Sequence, residues 1–83
     1  MNVLEGGVKM SVFTEILTQL AQYSAAVDAC TVSHSDFIEF QKLEARIINA
    51  HNTGYYNHTQ KQALYNIAQG LHSDFRMILG LDR

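Results

Sequence analysis

The chain has 83 residues, six Lys/Arg against eight Asp/Glu, a net charge of −2 and a single cysteine. That length makes one domain with a small core, the lone thiol excludes an internal disulfide, and the scattered basic residues (Lys9, Lys42, Arg46, Lys61, Arg76, Arg83) lack the positive stripe that neutralises phosphates. No apolar run approaches the roughly 20 residues of a membrane span and no signal-peptide pattern opens the chain, so the expectation is a cytoplasmic protein that binds neither nucleic acid nor membrane.

Residues 1–10 raise a question of origin. Glu5-Gly6-Gly7 can be encoded as GAA-GGA-GGT, a purine-rich string of the kind that recruits a bacterial ribosome, and Val8-Lys9 then spaces it from Met10. Ser11, directly after Met10, is a good helix N-cap, and the apolar periodicity begins at Val12 and Phe13. The expectation is a translated leader, or else a flexible tail, over 1–10 and a helical domain over 11–83, of bacterial or phage origin.

There is no proline to stop or kink a helix, and three segments carry a helical period. The reading is all-α: a three-helix antiparallel bundle over about 11–31, 35–52 and 58–79. In the first segment Phe13, Ile16, Leu17, Leu20, Ser24 and Val27 share a face, widened by Val12, Tyr23, Ala26 and Cys30. Cys30 reads as a small buried hydrophobe at the helix end. Ala21, Ala25 and Ala29 extend apolar character even to the polar side. So broad a stripe exceeds what two neighbours cover, and a small core commonly needs a partner subunit. The expected partner surface is Phe13, Ile16, Leu20, Tyr23 and Val27, pairing the chain into a homodimer.

"TVSHSD" breaks the chain, and Ser33 with Asp36, or Ser35 alone, caps the second helix. Its expected buried arc is Phe37, Phe40, Leu43, Ile47, Ile48 and Ala50, with Lys42, Arg46 and Asn49 in water, and Gly54 ends it. The third helix opens at Asn57 with Gln60 as a capping box, or at Thr59. Its stripe is Leu64, Ile67, Ala68, Leu71, Phe75, Ile78 and Leu79, and Gly80 closes it. Gly70 falls mid-helix, where glycine is unfavourable. It is either a simply tolerated glycine or, with Ala63 seven positions before, a small-residue edge that lets another helix approach closely.

Two polar features stand out. Glu44 falls inside the second helix's apolar arc, and His51 lies on the same face. A charge there is costly unless it is paired or lines a cleft. Their α-carbons are about 10.5 Å apart along the helix, too far for a direct bond. A shared third group is needed, with His72, Asp74 and Tyr23 as candidates. Such a carboxylate and imidazole could transfer a proton or ligate a metal. Equally, Glu44 sits at a bundle edge and bonds a neighbour there. The "HNTGYYNHTQ" connection gathers His51, Tyr55, Tyr56 and His58 beside polar amides, either as a ligand-facing rim or with the tyrosines as a cover over the end of the core.

No two histidines stand at the i, i+4 spacing of a helical zinc motif, and neither a glycine-rich phosphate loop nor a nucleophile elbow is present. A helix-turn-helix across "IAQGLHSDFRMIL" fails because it puts Arg76 in the core. The expectation is no metal, no cofactor and no enzymatic activity. In its place stands protein–protein interaction, as an adapter or regulatory module. The alternative is a small-molecule or metal-binding bundle, enzymatic or not, centred on Glu44, His51, Tyr55 and Tyr56.

Overall fold

A computed structural model describes residues 11–81 of the chain. The proposed leader or tail at 1–10 lies outside those residues. Within them are three helices and no strand: α1 (Val12–Asp28), α2 (His34–Thr53) and α3 (His58–Ile78).

Each helix starts at the side chain its sequence supplies. The Ser11 hydroxyl accepts from the Thr14 backbone N–H at 3.1 Å. Ser33 and Asp36 form a reciprocal capping box, as do Asn57 and Gln60. Of the caps the sequence allowed, Ser35 and Thr59 go unused. Each capping box satisfies donors that the first turn leaves unpaired.

All three helices end alike. Thr31 N–H donates to the Ala26 carbonyl and Cys30 N–H to Val27, Tyr55 N–H to Ala50 and Gly54 N–H to His51, Leu81 N–H to Arg76 and Gly80 N–H to Met77. This is the Schellman pattern, which needs a left-handed residue at its centre. Glycine fills that position at Gly54 (φ 96°) and Gly80 (φ 72°), but in α1 it falls to Cys30 at φ 55°. The turn therefore ends α1 at Asp28, short of the expected 31, and leaves the Cys30 thiol exposed. The sequence reading had it buried. Swinging the backbone left-handed turns the side chain off the apolar stripe.

The contacts fix the directions. Glu15 meets Arg46 and Tyr23 meets Phe40, so α1 and α2 are antiparallel. Phe37 meets Phe75 while Glu44, further along, meets His72, so α2 and α3 are antiparallel as well. Phe13 lies beside Tyr56 and Tyr23 beside Phe75, which leaves α1 parallel to α3. α3 packs extensively on both other helices, whereas α1 and α2 touch least.

The core joins Ile16, Leu20, Leu43, Ile47, Leu64, Ala68 and Leu71 to an aromatic cluster at one end. There Phe75 lies 5.3 Å from Phe37, 5.0 Å from Phe40 and 5.9 Å from Tyr23 between ring centroids. Such pairs add about 0.5–1.5 kcal/mol each beyond the area they bury. Tyr56 closes the other end, with its ring edge against Phe13 and its hydroxyl donating to the Ile47 carbonyl.

Candidate functional site

The five residues expected to face a partner are used inside the single chain. Ile16, Leu20 and Val27 are buried in the core, and Phe13 and Tyr23 are half-buried against it. A stripe of that width is needed because α1 has two neighbours, and α3 takes most of it. The expected arcs of α2 and α3 hold except at Ile48, Ile67 and Ile78, which are exposed. Each lies on the margin of its arc, beyond reach of the adjacent helix.

Glu44 and His51 do not share a pocket. The Glu44 carboxylate reaches His72 Nδ1 on α3, at 3.1 Å and 3.2 Å from its two oxygens. The Glu44 side chain is 19% exposed and that of His72 32%, so the bond sits at the bundle edge. The His72 ring also rests on Phe37, with centroids 5.1 Å apart. An ionised carboxylate only accepts, so the ring form that makes this bond donates through Nδ1, and Nε2 points away from Glu44. Glu44, Tyr65, Gln69, His72, Ser73 and Arg76 line a groove of about 450 Å³ between α2 and α3. A carboxylate holding an imidazole by one nitrogen is the orienting half of a proton-transfer pair.

Burial separates the two tyrosines. Tyr55 is 62% exposed, while Tyr56 is buried under its hydrogen bond to Ile47. Tyr56 therefore covers the end of the core, and the ligand-facing rim of His51, Tyr55, Tyr56 and His58 loses one of its four members. Desolvation raises the Tyr56 pKa above the ordinary value, against a smaller opposing effect of Arg46. Tyr23 is raised too, first by desolvation and then by the nearby charges of Glu39 and Asp36. His51 turns to the α2–α3 connection, where its ring meets that of His58. Arg46, expected in water, is half-buried and donates to Glu15 at 2.9 Å.

Which residues look away from α2 follows from these bonds. Glu15 marks the edge of α1 facing α2, and Leu17 lies about 200° around the helix from it. His72 marks that edge of α3, and Ala63, Ile67, Gly70, Met77 and Ile78 all lie about 120° or more from it. Since α1 and α3 pack side by side, these residues share one outer face. On it Leu17, Ile67, Met77, Ile78 and Leu81 are exposed, Met77 by 66%. Ala21, Ala63 and Gly70 lie exposed among them. The excess apolar surface thus exists, most of it on α3 and the turn that follows, with Ile38 and Ile48 exposed separately on α2.

Compared with known proteins, the chain matches no protein family, no curated protein and no solved structure. No described helix is long and apolar enough to cross a membrane.

Proposed function

We propose that this chain acts by protein–protein contact, as a small helical module that pairs with a second copy of itself through the α1/α3 face. The observation that carries this reading is the exposed row of Leu17, Ile67, Met77, Ile78 and Leu81, which the chain's own core leaves uncovered. Contiguous exposed apolar surface marks interaction sites more often than single exposed residues do. Ala21, Ala63 and Gly70 keep the face low enough for another helix to lie close.

Charge favours a second copy laid antiparallel. The face carries Asp28 and Asp74 at one end, where α1 and α3 both finish. A two-fold axis sets those carboxylates against the partner copy's helix N-termini, whose dipoles are positive. From Ala63 to Ile78 the face is about 23 Å long, and two packed helices make it about 18 Å wide. That is on the small side of specific interfaces, so pairing at micromolar concentration is the expectation.

Sedimentation equilibrium over a wide concentration range tests it. Wild type should dimerise, and Ile67→Asp and Met77→Asp should remain folded monomers. A wild-type chain that stays monomeric at several hundred micromolar sinks the proposal. The exposed free thiol of Cys30 fits a reducing cytoplasm.

A second reading rests on the Glu44–His72 bond: a small polar ligand held in the α2/α3 groove. It predicts a compound whose stabilisation of the fold disappears in Glu44→Gln while the unliganded melting temperature stays close to wild type.

A further inference from the structure

We infer that His51 and His58 form a two-histidine binding site for a late first-row divalent metal ion, Ni²⁺, Cu²⁺ or Zn²⁺, across the α2–α3 connection. The rings are 6.0 Å apart between centroids. An imidazole nitrogen binds such an ion at about 2.0–2.1 Å, which places the ion about 3.2 Å from each ring centre. Two rings sharing one ion then lie about 5.2 Å apart at a tetrahedral angle and about 6.4 Å apart when trans. The observed separation falls inside that range, so the ring spacing suits one shared ion once a nitrogen of each ring turns toward it.

The backbone holds both histidines in place. His51 lies in the last turn of α2, which Gly54 closes through its left-handed conformation. His58 is the first residue of α3, directly after the N-cap Asn57 and inside the Asn57–Gln60 capping box. A ligand pair fixed from both sides of a tight turn loses little entropy when the ion binds. His51 is half-exposed and His58 exposed, so an ion enters without opening the core. Imidazole suits these metals, and affinity should rise toward Cu²⁺.

Among the described residues no group of three or more His, Cys, Asp or Glu could hold a metal. Water therefore completes the coordination, and the site is an exchangeable clip rather than a structural centre. The seven-residue separation of the pair hides it from any search for i, i+4 spacing. The turn, not one helix, brings the rings together.

Calorimetric titration of the full, chelator-treated chain with NiCl₂ tests the inference, with melting curves taken at the same metal concentrations. Wild type should bind one Ni²⁺ per chain and melt several degrees higher when saturated. His51→Ala and His58→Ala should each weaken binding at least about tenfold and abolish the rise in melting temperature. His34→Ala, at the start of α2, should change neither. With Cu²⁺, electron paramagnetic resonance should show two equatorial imidazole nitrogens in wild type and one in either variant. Binding that survives either substitution overturns the site, and so does one ion per two chains or no binding at millimolar metal. Circular dichroism of each variant distinguishes a lost site from a lost fold.

Discussion

Gly70→Ala makes the fold and the proposed pairing respond in opposite directions. Gly70 lies mid-way along α3, and a β-carbon built on it meets nothing within 4 Å in its own chain. The new methyl group therefore causes no clash within the monomer. What remains is backbone entropy: alanine is favoured over glycine in a helix interior by about 0.8–1.0 kcal/mol. In a domain of this size, about 1 kcal/mol raises the melting temperature by roughly 4–8 °C. The same methyl projects from the α1/α3 face at its low point, where a second copy's helix would lie. Dimerisation should weaken even as the monomer gains stability. Thermal melts followed by circular dichroism at a few micromolar read the first effect, and sedimentation equilibrium reads the second. A melting temperature that does not rise at low concentration refutes the reading of Gly70 as an unconstrained helix residue. A rise with undiminished dimerisation shows that no helix approaches there.

Cys30→Gly should stabilise the chain. A non-glycine residue pays about 1–2 kcal/mol for a left-handed backbone, and glycine gives back about 0.5–1 kcal/mol through its looser unfolded state. With the exposed thiol making no core contact, urea melts should show a net gain of a few tenths to about 1 kcal/mol; a loss means that the side chain has a role its exposure hides. Tyr56→Phe should cost about 1 kcal/mol, the net value of a hydrogen bond, because the packing on Phe13 survives and only the bond to the Ile47 carbonyl goes. Alkali should also act through these rings. Tyr23 and Tyr56 both have raised pKa values in the fold, so the neutral forms are favoured there. Their contribution is complete below the ordinary tyrosine value of about 10 and is lost as pH rises through the folded values. Stability measured by urea between pH 8 and pH 11 should therefore fall more steeply in wild type than in Tyr23→Phe/Tyr56→Phe; parallel curves refute it.

Local chemistry made much of the fold legible. Ser11, Ser33 with Asp36, and Asn57 with Gln60 cap the helices through side chains read directly from the sequence, and Gly54 and Gly80 mark two of the stops. The third stop was hidden because Cys30 has no intrinsic preference for the left-handed region. Only the hydrogen bonds of Thr31 and Cys30 reveal it. Glu44 was conspicuous as a carboxylate on an apolar arc, and His72 was among its three candidate partners. Periodicity along one helix could not choose between them, since the choice depends on how α3 is rotated against α2. The same limit left His51 between two readings, with Glu44 along α2 or with Tyr55, Tyr56 and His58 in the connection. Seven positions bring it onto Glu44's face of α2, but the turn at Gly54 brings His58 closer.

The misplaced interface has a more general cause. A hydrophobic stripe records that side chains are removed from water without recording what removes them. Judged alone, the α1 stripe looked too wide for its neighbours. In the bundle α1 lies against α3 along its length and touches α2 at one edge, so Ile16, Leu20 and Val27 are fully used. Surplus can be counted only after each helix has been rotated against the others, and the bonds Glu15–Arg46 and Glu44–His72 set that rotation. Once it is set, the uncovered residues of the α1/α3 side are Ile67, Met77 and Ile78 on α3, Leu81 just beyond it and Leu17 on α1, while Ile38 and Ile48 stand exposed on α2. Val27→Asp and Met77→Asp, alike as chemistry, should therefore differ in outcome. The first puts a charge into the core and should unfold the monomer, whereas the second should leave a folded chain that no longer pairs.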